Sequence, residues 1–395
     1  MTKLERLIEQ LCPDGVKYKT LGDIAVDIYR GSGIKRDEVT SDGIPCVRYG
    51  EIYTTYNIWF DKCVSHTKVD YVKSPKYFEY GDILFAITGE SVEEIAKSIV
   101  YIGHDKCLVG GDIVVLKHNQ NPKYLSYALS TSEAQKQKSA GKVKSKVVHS
   151  SVPAIKAITI PVPPLEVQTE IVRILDAFTE LTTELTTELT TELTNRKKQY
   201  EYYSRQLFVD AKNTQLTTLE QLSHNLDSQR QPVTSNKRTA GIYPYYGASG
   251  IVDYVDDYIF DGDYLLISED GANLLARNTP IAFSISGKTW VNNHAHVLKF
   301  DNYHTRRYIE IYLNSIDLSP YITGAAQPKL NQKNLNKIEI PLPPIEEQRR
   351  IVNILDRFDK LCNDISEGLP AEIEARQKQY EYYRDKLLTF KERSV

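Results

Sequence analysis

IPVPPLEVQTEIVRILDAF occupies Ile160–Phe178, and the same pattern returns at Ile340–Phe358 as IPLPPIEEQRRIVNILDRF. The two copies lie 180 positions apart, and a second pair of segments keeps this separation: KQYEYYSRQL at Lys198–Leu207 and KQYEYYRDKL at Lys378–Leu387. Internal similarity at a fixed offset indicates a duplicated chain. Because the offset is the same for both pairs, the stretches between the paired segments are equal in length.

The matched segments are predicted to be helical. Each begins with PVPP or PLPP, which a helix does not continue through, and then places apolar residues three or four apart. In the first copy this stripe predicts one amphipathic helix of roughly 44 residues, about 65 Å long. A helix of that length without internal stop signals is typical of a coiled coil or a helical spacer. In the second copy Ser366, Gly368 and Pro370 predict a stop and a new start, so we expect a kink or split there.

The tyrosines of the QYEYY motif have two possible uses, since aromatic rings stack on bases as well as on other side chains. On a helix Tyr200 and Tyr203 share a face with Leu207. This arrangement favours packing against another helix over contact with nucleic acid.

The divergent segments upstream are predicted to be β-rich. Short alternating runs such as DIVVLKH (112–118) and IAFSISGKTWVNN (281–293) lie between Gly, Asn and Asp turns. A helical pattern comes late in each segment, at 123–137 and at 306–315. The sequence therefore predicts an α+β chain divided into an N-terminal segment, a first domain, a central helix, a second domain and a distal helix, at 1–20, 21–159, 160–215, 216–339 and 340–395.

Composition excludes several classes of protein. With 395 residues and 41% apolar residues the chain is long and apolar enough for two or three folded domains. It contains no long apolar run of the kind that spans a membrane and no secretory signal pattern, and its five cysteines are scattered, which indicates reduced thiols in a cytosol. The net charge of −3 does not by itself indicate nucleic-acid binding, which would have to depend on local basic patches or on a partner.

Motifs of catalysis are missing from the sequence. It contains no GxxxxGK[ST] loop for nucleotide phosphates and no Asp- or Asn-led Pro-Pro-aromatic element of the kind that amino-methyltransferases use. The paired acids Glu93-Glu94 and Glu346-Glu347 lie at predicted helix starts, where the helix dipole favours them. We therefore predict no catalytic residue and no metal site.

Two stretches suit contact with DNA. The segment Ala134–Ser150 is rich in lysine and lacks acids, and we take Lys142, Lys144, Lys146 and His149 as candidate contacts. A solvated surface loop explains this segment equally well. In its counterpart, Thr323–Asn334, the amides of Gln327 and Asn331 can read adenine edges, and Lys329 can contact phosphate or guanine.

Three polar loops supply the other candidates. The loops TGES and SEDGAN follow the two GDxL strands and are each followed by a basic residue, and WVNNHAH forms the third loop. Turn chemistry alone would also account for these residue types. The candidates from these loops are Thr88, Glu90, Ser91, Lys97, Asn273, Arg277, Asn292, Asn293 and His294.

Taken together, these segments resemble the DNA-specificity subunit of type I restriction-modification enzymes. The resemblance runs from MTKLERLIEQLCPDG (1–15), through both divergent segments and both Pro-Pro blocks, to KQYEYYRDKLLTF (378–390). The Pro-Pro block with its helix, present twice, is the most specific part. TELTTELTTELTTELT at 179–194 resembles the short tandem spacer repeats of one group of these subunits.

The resemblance implies two β-rich target-recognition domains separated by two long antiparallel helices, a coiled coil with pseudo-two-fold symmetry. It implies a subunit of the restriction system without catalysis of its own, which binds double-stranded DNA and reads one half of a bipartite site with each domain. The implied partners are methyltransferase subunits, usually two, which methylate adenine with S-adenosylmethionine, and restriction subunits that use ATP and Mg²⁺. The chain itself is then expected to bind no cofactor and to be cytoplasmic.

The TELT repeats suggest a spacer of defined length. One unit adds about 6 Å of helix and turns the following face by roughly 40°. We therefore hypothesise that the repeat number sets how many unread bases separate the half-sites. The alternative is a tolerated low-complexity insertion.

Two other classes of function stay open from the residues alone. One is a DNA methyltransferase or nuclease whose active site has no recognisable motif. The other is a coiled-coil scaffold whose two domains bind proteins.

Overall fold

The computed structural model describes residues 1–144, 146–324, 327–364 and 367–393. The helices are α1 (Lys3–Leu11), α2 (Leu21–Ile24), α3 (Tyr49–Thr54), α4 (Pro122–Leu129), α5 (Ser132–Ser139), α6 (Val152–Lys156), α7 (Leu165–Val209), α8 (Leu219–Leu222), α9 (Asn273–Ala276), α10 (Tyr303–Ser315), α11 (Gln332–Asn336), α12 (Ile345–Asn363) and α13 (Leu369–Leu387).

The strands fall into two groups along the chain. Those before α7 are β1 (Tyr18–Thr20), β2 (Ala25–Arg30), β3 (Val39–Thr40), β4 (Ile44–Val47), β5 (Trp59–Phe60), β6 (Ser65–Thr67), β7 (Tyr77–Phe78), β8 (Ile83–Ala86), β9 (Thr88–Gly89), β10 (Ser98–Tyr101), β11 (Cys107–Val109), β12 (Ile113–His118), β13 (Val148–His149) and β14 (Thr159–Pro161). Those after it are β15 (Gln215–Thr218), β16 (His224–Asn225), β17 (Ala240–Gly247), β18 (Gly250–Val255), β19 (Phe260–Asp261), β20 (Tyr264–Ser268), β21 (Ala282–Ile285), β22 (Lys288–Val291), β23 (Ala295–Lys299) and β24 (Glu339–Leu342).

The chain forms two compact units, and the boundaries between them fall inside the helical segments. Unit 1 comprises Met1–Thr187 and Glu374–Val395, and unit 2 comprises Glu188–Ile373. Each unit combines a β-rich part with one stretch of α7 and one stretch of the distal helical segment. The predicted α+β class with two β-rich domains and long helices is confirmed.

The sheets of the two units are built on the same plan. In unit 1 the order β2-β12-β8-β10-β5 forms one sheet and β3-β6-β4-β11-β7 another; in unit 2 the orders are β16-β23-β20-β21 and β18-β17-β22-β19. The strands β8 and β20, which follow the two GD dipeptides, lie inside a sheet and are buried on both faces. Continuous apolar runs such as ILFA fit this position, because both faces of such a strand contact apolar neighbours.

Each Pro-Pro block is followed by a buried glutamine, and its side-chain amide bonds to the backbone just before the helix. The Gln168 side-chain amide donates to the Pro163 carbonyl (2.8 Å) and accepts from the Asn121 backbone N–H (2.9 Å). In unit 2 the Gln348 amide donates to the Pro343 carbonyl (2.7 Å). The amide thus satisfies a carbonyl in the Pro-Pro turn just before the helix begins.

The helices join the β-rich part of each unit through apolar side chains. Ile171, Val172 and Leu175 of α7 are buried in the larger core of unit 1, and Ile351, Val352 and Leu355 of α12 occupy the equivalent places in unit 2. The predicted single central helix is confirmed, because α7 is continuous over 45 residues. The predicted split of the second helix is also confirmed, because α12 ends at Asn363 and α13 begins at Leu369; Ser366 lies outside the described residues.

Aromatic contacts show that the helices of each unit are antiparallel. In unit 1, Phe178 contacts Tyr383 (ring centroids 6.3 Å apart), and Thr179 bonds to Tyr380. In unit 2, the Tyr203 ring contacts the Phe358 ring (centroids 6.0 Å apart), and Cys362, later in α12, lies near Lys197, earlier in α7. The expectation that the QYEYY tyrosines pack against another helix is therefore confirmed for Tyr203 and Tyr383. Within the described part of the chain, no helix has both the length and the apolar content to cross a membrane.

Candidate DNA-recognition edges

One edge of unit 1 brings together two segments that the sequence suggested separately. Past the end of β8, Thr88 and Gly89 pair with His149 and Val148 in the antiparallel ladder of β9 and β13. The Thr88 hydroxyl oxygen lies 3.2 Å from His149 Nδ1, and Thr88 is buried while His149 is exposed. We call the stretch 88–91 together with 142–149 the unit 1 edge.

The lysines of the unit 1 edge are accessible to a polyanion. Lys144 and Lys146 are exposed and Lys142 is half-buried; Ser145, between them, lies outside the described residues. The Ser91 hydroxyl donates to Glu93 (2.6 Å) and lowers the pKa of that carboxyl, and the nearby charge of Lys144 adds to the shift. Lys144 therefore lies close to the TGES loop, where Glu90 is exposed and Ser91 half-buried.

The Lys97 side chain points into unit 1 and not outward from the unit 1 edge. Its ammonium donates to the Tyr53 carbonyl (3.2 Å), and burial lowers its pKa. The position of this lysine after a polar loop suggested a DNA contact, but its half-buried side chain already has a backbone partner.

In unit 2 three polar segments meet at the end of β20. The Glu269 N–H donates to the His294 carbonyl (2.9 Å), the Gly271 N–H to the Pro328 carbonyl (3.2 Å), and the Leu330 N–H to the Glu269 carbonyl (2.8 Å). We call the stretches 268–271, 292–294 and 327–331 the unit 2 edge.

Two candidate residues of the unit 2 edge are paired with acids. His294 Nδ1 lies 2.9 Å from the Asp270 carboxylate, and Lys329 Nζ lies 3.0 Å from that of Glu269. Both side chains keep about half of their surface exposed. Asn293 and Gln327 are also exposed at this edge, whereas Ala325 and Ala326 lie outside the described residues.

Four other candidate residues in unit 2 make hydrogen bonds that stabilise the local conformation of the chain. Asn292 is buried and accepts from the His294 N–H (2.8 Å), and Asn331 caps α11 by accepting from the Asn334 N–H (3.0 Å). Asn273 closes a loop through two bonds of 3.0 Å to the backbone of Thr279. Arg277, with a φ of 54°, donates to the Ile316 carbonyl (2.6 Å) just beyond α10.

A buried charge network behind the unit 2 edge was not predicted from the sequence. Asp227, Arg230, Glu269 and His296 are each at least 88% buried in their side chains. The Arg230 guanidinium donates to Glu269 (2.7 Å), and His296 Nδ1 lies 2.6 Å from Asp227. His296 lies in β23, where Ala295–Leu298 are all buried, and a histidine within such a run is a signal for this one member of the network.

The acids of this network stay ionised because cations surround them. Burial alone would raise the pKa of Glu269, but hydrogen bonds from Arg230 and Lys329 outweigh that effect and lower it. Burial likewise opposes ionisation of Asp227, and the bond to His296 reverses the effect, so that its pKa is lowered.

The same residues include a possible metal-ligand set. Asp227, Glu269 and His296 offer ligand atoms within 4.8 Å of one another. However, Arg230 lies 2.7 Å from Glu269 and 3.4 Å from Asp227, and both ring nitrogens of His296 already have partners. The positive charge beside these carboxylates is therefore supplied by Arg230, and the arrangement is a hydrogen-bonded ion-pair network.

These features define a class: a duplicated chain whose β-rich units each present a polar edge and attach to matched helical segments. The chain belongs to the type I restriction modification DNA specificity domain family, whose model matches residues 13–195 and 212–375.

Relatives in this family are similar over different shares of their length. A provisionally assigned type I restriction enzyme specificity subunit of Haemophilus influenzae is 38% identical over 178 residues, which is 44% of this chain and 46% of that protein. The EcoprrI specificity subunit of Escherichia coli is 37% identical over 51% of both chains. A provisionally assigned specificity subunit of Mycoplasma pneumoniae is 32% identical over 59% of this chain and 96% of its own. The aligned region thus spans about half the length of the first two relatives.

Solved structures share the fold at low sequence identity. A chain from a structure of the type I R-M system, described for its complex assembly and conformational transition, matches with a TM-score of 0.68 and 17% identity, covering 95% of this chain and 97% of that one. The HsdS subunit from Thermoanaerobacter tengcongensis matches with a TM-score of 0.52 and 17% identity, covering 96% of each chain.

Proposed function

We propose that this chain is the sequence-specificity subunit of a type I restriction-modification complex and has no catalytic activity of its own. The single observation that carries the proposal is the duplication within this family: two units each present a polar loop edge at the end of the same central strand. A bipartite DNA site, read one half at a time, is the target that two such edges fit.

In this proposal the two edges make different contributions to DNA recognition. The unit 1 edge has exposed lysines, which neutralise phosphates and bind DNA without regard to sequence. The unit 2 edge offers Gln327, Asn293, His294 and Lys329, whose amide and cationic groups suit base edges in the major groove.

The helices are proposed to dock two methyltransferase subunits. Each unit carries an aromatic patch on its helix pair: Phe178, Tyr382 and Tyr383 in unit 1, and Phe358, Tyr202 and Tyr203 in unit 2. Tyr382 and Tyr202 are each 61% exposed. Exposed aromatic groups on a folded protein mark protein-binding surfaces, and two equivalent patches suit two copies of one partner.

The chemistry then belongs to the partner subunits in the cytoplasm. Methyltransferase subunits would bind S-adenosylmethionine and methylate an adenine flipped out of each half-site. Restriction subunits would use ATP and Mg²⁺ to cleave unmodified DNA.

Reconstitution with the methyltransferase subunits of the same system tests the proposal. We expect a salt-dependent, sequence-specific gel shift and adenine methylation at one bipartite sequence, with half of that sequence changing when either unit is exchanged. The chain alone should transfer no methyl group from S-adenosylmethionine to DNA. Methyl transfer without a partner, or a complex without sequence preference, would contradict the proposal.

A further inference from the structure

The two units differ at one equivalent position behind their edges. Val114 pairs with Phe85 of β8 in unit 1, and His296 pairs with Ile267 of β20 in unit 2. Phe85 and Ile267 are equivalent, since each belongs to the core that also contains the helix residues of its unit. Val114 is fully buried in that apolar core of unit 1. The shared sheet therefore accepts an apolar residue where unit 2 has His296, and the fold does not require a polar one.

His296 ties the interior of unit 2 to the segment 327–331. Its Nδ1 lies 2.6 Å from the Asp227 carboxylate and its Nε2 lies 2.7 Å from the Leu330 carbonyl. Each ring nitrogen of His296 is thus within hydrogen-bond distance of an oxygen atom. Asp227 is itself fixed by accepting from the Val297 N–H (2.9 Å).

Arg230 and Glu269 form a second set of contacts that leads to the segment 327–331. Arg230 donates to the Glu269 carboxylate (2.7 Å) and to the Ala295 carbonyl (2.8 Å). The other oxygen of Glu269 lies 3.0 Å from Lys329 Nζ. Lys329 also forms backbone bonds in both directions with Thr323, at 2.8 and 2.9 Å. The network therefore holds both the backbone at Leu330 and the ammonium of Lys329.

We propose that Asp227, Arg230, Glu269 and His296 are positioning residues for DNA recognition by unit 2. They fix the segment 327–331 so that Gln327 and Lys329 face one half-site, and they make no DNA contact themselves. Buried ion pairs often contribute no more stability than apolar residues of the same volume. A positioning role explains why unit 2 has His296 at the position where unit 1 has the apolar Val114. The inference rests on the proposed function.

The test uses the full-length chain in complex with its methyltransferase subunits. Glu269→Gln removes one charge from the network and keeps the shape of the side chain. The matched control is Asp359→Asn, which weakens another ion pair of unit 2, to Arg307 (2.6 Å), on the helix α12. For each variant, methylation of a randomised DNA library is measured. It gives the preference for the recognised bases over all other bases at each half-site.

We expect E269Q to lower discrimination at one half-site at least about five-fold, as removal of one base-reading side chain would, and to leave the other unchanged. D359N should leave both unchanged. Equal loss at both half-sites, or a lower melting temperature with discrimination intact, would overturn the inference. If E269Q does not assemble with the methyltransferase subunits, Arg230→Lys is used instead, and hydrogen exchange of the backbone amides in 323–331 is measured. Protection of these amides equal to that in the original chain would overturn the inference. Absence of sequence-specific methylation by the unaltered complex would instead refute the proposed function.

Discussion

Thr179 and Tyr380 lie 201 positions apart in the chain, and their hydroxyl oxygens share a hydrogen bond of 2.9 Å. The Thr179 hydroxyl also lies 3.0 Å from that of Tyr127, which in turn donates to Asp176 (2.8 Å). One threonine at the start of the TELT repeats thus connects α7, α13 and α4 within unit 1. The bond fixes the register of the antiparallel helices there.

Removing the Tyr380 hydroxyl should destabilise unit 1 by a modest amount. Tyr380→Phe loses the bond to Thr179, and a net hydrogen bond contributes about 1 kcal/mol to the free energy of unfolding. Urea denaturation of the full chain measures the change. Tyr382→Phe is the control, because Tyr382 is 61% exposed and this variant should unfold at the original urea concentration. Equal midpoints for both variants would contradict a role of this bond in stability.

Buried Lys138 predicts a specific pH dependence of stability. Its ammonium donates to Ser98 Oγ (3.0 Å) and the Leu129 carbonyl (2.7 Å), with Arg384 nearby and no carboxylate bonded to it among the described residues. Burial, and to a smaller degree the charge of Arg384, lowers the pKa of Lys138 from 10.5 to about 7. Between these pH values the unfolded chain holds a proton that the folded chain lacks. The contribution of Lys138 to stability therefore rises with pH across this window.

Lys138→Met removes this titration and tests the sign. The difference in unfolding free energy between the original chain and K138M should change by at most about 1.4 kcal/mol per pH unit between roughly pH 7 and 10, in favour of the original chain at higher pH. Lys136→Met is the matched control on the same helix, because Lys136 is exposed. Urea denaturation at several pH values gives the curves. Parallel curves for K138M and the original chain would show that Lys138 stays charged in the folded state.

The helices and the β-rich units were predictable because their signals are local. Apolar residues three or four apart marked α7, and Ser366, Gly368 and Pro370 marked the split between α12 and α13. The network of unit 2 was not predictable, since Asp227, Glu269 and His296 come from three segments and meet only through sheet register. The inward bonds of Lys97 and Arg277 were missed for the same reason, because the backbone carbonyls that accept them belong to distant segments.

The lysines of the unit 1 edge are predicted to contact phosphates. Replacing Lys142, Lys144 and Lys146 by alanine should weaken DNA binding of the complex about equally for all sequences. It should also reduce the slope of log affinity against log salt by roughly 0.9 for each phosphate that is no longer neutralised. Titrations at several salt concentrations measure both effects. Lys378→Ala, on the helix α13, is the control; an unchanged slope in the triple variant would identify the segment as a solvated loop.

The number of TELT repeats is predicted to set the spacing of the two half-sites. Deleting Thr191–Thr194 removes one unit of α7, which shortens the helix by about 6 Å and turns its continuation by roughly 40°. One base-pair rise is about 3.4 Å, so we expect the unread gap to shrink by one or two bases while both half-site sequences stay the same. Base-resolution mapping of adenine methylation measures the gap, and alanine at Thr191 and Thr194 is the control of equal length. An active deletion complex with the original gap would show that the repeats are a tolerated insertion.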